Sequence, residues 1–140
     1  MKKEIKPYMH HVQYYETDQM AIVHHSNYIR WFEEARVDCM NQMGYGYKKM
    51  EEDGIISPVI AVTAEYKSMT RFDDNVRIEV KIMKFNGVKL QIAYQIYDNE
   101  TNELRCQGES QHCFIDRNGK IVSVKKTNEE FYNQMQSYVE

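Results

Sequence analysis

The apolar pattern of this chain changes period once, and that change limits the folds open to it. Tyr28, Trp31, Phe32, Ala35, Cys39 and Met43 recur at helical spacing, with Arg30, Glu33, Arg36, Asp38, Asn41 and Gln42 between them. The spacing predicts one amphipathic helix with a wide apolar stripe serving as a core face. Ser26 or Asn27 is placed to cap its start, and Gly44 or Gly46 to end it. A short helical segment over 47–53 should stop at Gly54. Beyond it the period falls to two. Val76, Ile78, Val80 and Ile82 alternate with Arg77, Glu79 and Lys81, the pattern of a half-buried strand. The phase slips at Met83 and Phe85, which predicts a bulge. Asn86-Gly87 is a hairpin turn signal, and Val88, Leu90, Ile92, Tyr94 and Ile96 form the returning strand. Residues 98–102 read as a turn and 104–116 as a long last strand. Asn118-Gly119 turns again into a strand over 121–124. Residues 8–14 and 58–66 are further strand candidates. Thr127 with Glu130 three positions on forms a capping box that opens a terminal helix with Phe131, Met135 and Tyr138 on one face.

A chain of 140 residues with 2 Pro and 6 Gly has few breakers, which suits long elements and tight connections in a single domain spanning 1–140. The segregated order implies an α+β fold, an antiparallel sheet packed on one long helix. One helix cannot cover both faces of such a sheet, so a homo-oligomer is expected, most simply a symmetric dimer. Lys and Arg number 18 against 21 Asp and Glu, a net charge of −3, which argues against a nucleic-acid surface. No apolar run approaches the roughly 18 residues that span a bilayer, so stable membrane insertion is not expected. Residues 1–7 carry Lys2, Lys3 and Lys6 with no apolar stretch after them, which fits a cytoplasmic protein without an export signal. Cys39, Cys106 and Cys113 are an odd number without CxxC spacing. They read as reduced, largely buried thiols rather than disulfides or zinc ligands. The pairs His10-His11 and His24-His25 are adjacent residues, poorly placed to chelate one ion, so no metal is expected.

The chemistry is concentrated between the first strand and the main helix. Residues 14–28, Tyr-Tyr-Glu-Thr-Asp-Gln-Met-Ala-Ile-Val-His-His-Ser-Asn-Tyr, hold two carboxylates, two histidines and several hydroxyls in one loop. A helix N-terminus adds free backbone N–H groups and partial positive charge, which suit an oxyanion or a polarised carbonyl. A carboxylate beside it can serve as nucleophile or as general base toward water.

This segment, continuing through Trp31-Phe32-Glu33-Glu34-Ala35-Arg36, resembles the signature of the 4-hydroxybenzoyl-CoA thioesterase-like hotdog-fold acyl-CoA thioesterases, especially the branch associated with the Tol–Pal system. The pattern maps onto Tyr15 to Tyr28 with one departure, Ala21 where glycine is usual. The residues around Tyr66-Lys67-Ser68 and Arg71-Phe72-Asp73-Asp74, together with Gly108 and the 116–120 turn, extend the likeness over nearly the whole chain. The resemblance implies a hotdog fold, a long antiparallel sheet wrapped around a central helix, assembled as a tetramer of two dimers. It implies hydrolysis of an acyl-CoA thioester to free acid and CoA, with coenzyme A part of the substrate and no cofactor. Asp18 matches the catalytic carboxylate, as nucleophile or as base. His25 matches the residue whose N–H polarises the carbonyl and whose side chain also takes part, and Tyr14 matches an assisting tyrosine. Lys67 and Arg71 are candidates for the CoA phosphates. Acyl carrier protein esters, aromatic-CoA esters and binding without turnover are the alternatives, and the acyl group preferred is left open.

Overall fold

The computed structural model describes residues 3–140; Met1 and Lys2, the start of the segment read above as carrying no export signal, lie outside the described residues. The elements run β1 (Tyr8–His11), a 3-10 turn (Tyr14–Glu16), α1 (Ser26–Gln42), α2 (Tyr47–Glu52), β2 (Val59–Tyr66), β3 (Asn75–Phe85), β4 (Lys89–Asp98), β5 (Leu104–Cys113), α3 (Val124–Thr127) and α4 (Glu129–Gln136). The five strands form one antiparallel sheet in the order β1-β3-β4-β5-β2. The helix α1 lies across its inner face. This is the α+β hotdog architecture expected from the sequence.

The apolar stripe of α1 is the centre of the core. Tyr28, Trp31, Phe32, Ala35, Cys39 and Met43 are all buried, and they share one core with Ile78, Val80, Ile82, Leu90, Ile92, Tyr94 and Ile96 of the sheet. Each fully buried large apolar side chain contributes about 2–3 kcal/mol relative to exposure, so this layer dominates the stability. Phe32 stacks on Tyr94 with ring centroids 4.4 Å apart and planes 12° from parallel. That close approach requires Gly108 on β5. A Cβ there would meet the Thr63 carbonyl of β2 and stand 2.9 Å from the Phe32 ring. The bulge lies where the phase slip put it, between Ile82 and Lys84.

Several local details depart from the sequence reading. The N-cap position of α1 is His25, which makes no side-chain capping bond, rather than Ser26 or Asn27. Asn27 is buried, with its amide turned back to the Glu16 carbonyl at 2.8 Å. Arg36, expected on the polar face of α1, is 7% exposed. Its length lets the head group fold inward to donate from Nε to the Tyr47 hydroxyl at 2.7 Å. The expected strand over 121–124 reduces to an isolated bridge between Ile115 and Ile121 before α3 begins. The cap of the last helix is Asn128, whose side chain accepts from the Phe131 N–H at 3.0 Å, because Thr127 is spent ending α3.

The two edges of the sheet differ. β1 is four residues long, whereas β2 is eight residues long and, apart from half-buried Ala64, exposed throughout, with Val59, Ile60, Val62 and Tyr66 among its side chains. No helix among the described residues is long and apolar enough to cross a membrane.

Candidate active site

The loop between β1 and α1 is anchored by its first carboxylate. Glu16 is 4% exposed. Its Oε1 accepts from the Gln13 N–H and from His10 Nε2, both at 2.8 Å, and its Oε2 accepts from the Trp31 indole at 2.6 Å. Its carbonyl accepts from the Asn27 amide and from the His24 N–H at 2.9 Å. Burial pushes the Glu16 pKa up, but the donors from Gln13, His10 and Trp31 outweigh it and hold the carboxyl below its ordinary value. One residue thus ties the loop to β1, to α1 and to itself. Sequence reasoning counted Glu16 among the two carboxylates of the loop but gave it no catalytic role. The signal was present in Gln13 and Glu16, whose i,i+3 spacing is that of a capping box.

Asp18 is held lightly. It is half-buried, and among the described residues its Oδ1 accepts only the Met20 N–H, at 2.8 Å. Its backbone closes a tight turn, with the Asp18 N–H on the Ile22 carbonyl and the Ala21 N–H on the Asp18 carbonyl. A bridge between Thr17 and Val23 zips the two arms together, so residues 18–22 form a narrow tip that leads straight into α1. Ala21 stands in this tip at φ 63°, a conformation that disfavours a side chain by roughly 1 kcal/mol or more. The departure from glycine noted in the sequence therefore falls on a position that needs positive φ.

His25 is exposed at the entrance to α1. Its ring stacks on His24 at 4.2 Å, and its edge faces Tyr66 at 6.2 Å. Its carbonyl accepts from the Tyr66 hydroxyl at 3.3 Å. The Ser26 N–H turns to His24 Nδ1 and the Asn27 N–H to the His24 carbonyl. The His25 N–H has no partner among the described residues. Asp18 and His25 thus share one zipped loop.

Tyr14 belongs to the same loop but is 76% exposed and leans edge-on against Phe72 at 5.5 Å, with no side-chain hydrogen bond to Asp18 or His25. The stretch 66–72 forms the opposite wall. The Val23 N–H donates to the Thr70 carbonyl at 2.8 Å, and the Tyr28 hydroxyl donates to Thr70 Oγ1 at 3.1 Å. Lys67 and Arg71 are exposed on this wall. Lys67 pairs with Glu65 at 3.2 Å, and the Arg71 backbone N–H donates to Asp74. Burial drives the Cys39 and Cys106 thiols up to about 12, so neither offers a thiolate nucleophile.

The histidine pairs are used singly. His10 serves Glu16, His11 pairs with Asp73 at 2.7 Å, and His24 Nδ1 meets Ser26 Oγ at 2.9 Å. Among the described residues no group of three or more His, Cys, Asp or Glu is placed to hold a metal.

A second polar cluster, which the sequence did not reveal, lies under the middle of α1. The Tyr94 hydroxyl meets Ser110 Oγ at 2.6 Å, and Ser110 Oγ meets His112 Nε2 at 2.7 Å. His112 is fully buried and its Nδ1 has no partner. Burial, with the Arg36 charge adding to it, pulls its pKa down to about 4.

Comparison with known proteins assigns the chain to a family. A Bacillus subtilis (strain 168) protein named "Putative acyl-CoA thioesterase YneP" is 36% identical over 116 residues, covering 83% of this chain and 80% of the relative. The crystal structure of a hypothetical protein from Aquifex aeolicus superposes with a TM-score of 0.86 at 30% identity, covering 94% of this chain and 99% of that one. The DHNA-CoA thioesterase of Staphylococcus aureus superposes with a TM-score of 0.88 at 27% identity, over 93% and 87% of the two chains. The family match runs from residue 12 to residue 134 and so takes in the zipped loop, α1 and all of β2 to β5, and by it the chain belongs to the Thioesterase-like superfamily.

Proposed function

We propose that this protein hydrolyses the thioester of a small or fatty acyl-CoA to a free acid and CoA, with Asp18 as the reacting carboxylate and the N-terminal end of α1 as the oxyanion site. The observation that carries this reading is the contrast inside the zipped loop. Among the described residues Asp18 keeps a carboxylate oxygen free of donors, and the His25 N–H, without a partner there, lies at the entrance to a 17-residue helix.

Two routes use these groups equally well. As a nucleophile, Asp18 adds to the thioester carbonyl and expels the CoA thiolate, and water then cleaves the resulting anhydride. As a general base, Asp18 takes a proton from water as the water adds to the carbonyl. The tetrahedral oxyanion then collapses and expels the thiolate. In both, the negative oxygen is met by the His25 N–H and the positive end of the helix dipole. A donor of this kind contributes about 3 kcal/mol to the transition state. An ordinary thiol has a pKa near 8–9, so the leaving group needs no strong acid, and the chemistry calls for no cofactor.

Tyr14, exposed on the rim, would close over the thioester when substrate orders it against the His25 side chain. Lys67 and Arg71, on the facing wall, would meet the CoA phosphates. The exposed apolar edge β2 supports a homo-oligomer, a dimer or a dimer of dimers, because a long free edge strand is a template for pairing. We place the enzyme in the cytoplasm.

Free-thiol release from short, medium, long and aromatic acyl-CoA esters tests the reading, with wild type beside Asp18→Asn. Turnover that disappears in the variant supports it. Turnover that survives removes Asp18 from the chemistry, and silence across the whole panel removes the thioesterase.

A further inference from the structure

The helix α1 and the edge strand β2 lie side by side in opposite directions. Tyr66, at the end of β2, meets His25 and Tyr28 at the start of α1. Further along, Ile29 and Phe32 of the helix face Val59 and Val62 of the strand across a cleft of about 240 Å³. Its Ile29 end is therefore the one nearer the reactive loop. The rest of its lining is Arg30, Glu33, Arg36, Tyr94 and Ser110, of which the last three are at least nine-tenths buried, so the cleft ends in buried polar groups.

Arg36 is poorly matched by its protein surroundings. Its Nε donates to the Tyr47 hydroxyl, which is neutral. Its one carboxylate neighbour among the described residues is Glu33, 3.9 Å away and with a side chain 67% exposed. Apart from exposed Arg30, which adds a second positive charge to the lining, the remaining polar groups around it carry no charge. Burial pushes the Tyr94 hydroxyl up to about 12, and His112, with its pKa near 4, is also neutral at pH 7. A guanidinium in a low-dielectric cleft that faces neutral hydroxyls and one distant, solvated carboxylate is complementary to an added anion. Arginine meets a carboxylate with two parallel N–H donors, the strongest pairing this site offers.

We infer that this cleft receives the acyl group, and that Arg36, helped by Tyr94 and Ser110, selects acyl groups ending in a carboxylate, so that the preferred substrates are CoA thioesters of short dicarboxylic acids. This rests on the thioesterase reading and names its substrate class. The dimensions agree. His25 and Arg36 lie eleven positions apart, about 16 Å along the helix axis, a gap that the acyl chain spans together with the arginine side chain, which leans toward the N-terminus. The cleft has the volume of roughly eight water molecules, room for a chain of a few carbons and its terminal carboxylate. An acyl group ending in methyl would fill the same space and leave the guanidinium desolvated without an anion.

The test separates binding from turnover. Two thioethers that cannot be hydrolysed, S-carboxypentyl-CoA and the equally long S-heptyl-CoA, are titrated calorimetrically into wild type, Arg36→Met and Tyr94→Phe. Wild type should bind the carboxylate at least about tenfold more tightly. Arg36→Met should erase or reverse that preference, and Tyr94→Phe, which keeps the charge and the ring, should reduce it severalfold. If Arg36→Met does not fold, the wild-type ratio and the Tyr94→Phe ratio decide. Equal binding by wild type, or tighter binding of the heptyl ether, overturns the inference. That is also the result expected if a second copy of the chain fills the cleft. Thiol release from adipoyl-CoA and heptanoyl-CoA is measured alongside. A thioether preference without any turnover upholds the anion pocket and rejects the thioesterase, whereas turnover without a thioether preference does the reverse.

Discussion

Glu16 and Asp18 stand two residues apart in the same loop and carry the same functional group, yet their surroundings are opposite. Three donors converge on the Glu16 carboxylate, which is almost sealed from solvent, while the Asp18 carboxylate accepts one backbone N–H and is half open. A carboxylate saturated with donors is a fastener, because its lone pairs are already committed. A carboxylate with free lone pairs can attack a carbonyl or take a proton. If Asp18 is the reacting carboxylate, as proposed, one short segment is both rigid and reactive, and the fixed acid supplies the rigidity that the free acid needs to stay in place.

The comparison breaks most visibly in the rate. Asp18→Asn keeps the acceptor for the Met20 N–H, so the thermal midpoint should hardly move while kcat falls by about 10²–10⁴-fold. Glu16→Gln should show the converse balance. An amide offers one acceptor oxygen where the carboxylate offers two, so a buried donor on Gln13, His10 or Trp31 loses its partner. Denaturant titration should show a loss of about 2–3 kcal/mol, with a smaller fall in kcat as the loop loosens. A Glu16→Gln protein of unchanged stability would end its role as the fastener.

The pH dependence of stability sharpens the picture at the second polar cluster. The folded-state pKa of His112 is depressed to about 4 from 6.5. The unfolded chain therefore takes up a proton in the window between those values while the folded chain does not. Stability should fall as pH drops through that window, by about 2 kcal/mol between pH 7 and pH 5. His112→Gln should flatten that slope in chemical denaturation, and an unchanged slope would move the origin elsewhere. The smallest effect belongs to the loop tip. Ala21→Gly relieves the positive φ and should raise stability by about 1 kcal/mol, less the added freedom of glycine in the unfolded chain. Any loss of kcat in that variant would show that the strain at Ala21 helps to hold Asp18.

The parts of this molecule that were legible in the sequence are those fixed by periodicity and by local turn chemistry. The stripe from Tyr28 to Met43, the alternation in β3 and β4, the bulge near Met83 and the stop at Gly44, which sits at φ 79°, all depend on residues close in the chain. The candidate loop was legible too, because Asp18 and His25 lie in one continuous segment. Arg36 was misplaced because helical periodicity locates a Cα on a face and says nothing of where a long side chain puts its charge. The grouping of Tyr94, Ser110 and His112 depends on the pairing of β4 with β5, in which Leu90 lies opposite His112 and Ile92 opposite Ser110. That register is long-range information. The strand predicted over 121–124 failed for a related reason, since three apolar residues in four satisfy a strand pattern without supplying a partner to pair with.

Gly108 ties these regions to a single atom that is not there. A methyl group at this position would collide with the Thr63 carbonyl of β2 and with the Phe32 ring of α1. Both are walls of the same construction, and the carbonyl, being backbone, has no rotamer to retreat into. Position 108 is therefore closed to mutation from two directions at once, since even the smallest replacement would push the edge strand outward and lift the helix. A random-mutagenesis library selected only for folded protein and one selected only for activity should both come back with glycine at 108. At Asp18, by contrast, the first library should accept many residues and the second almost none.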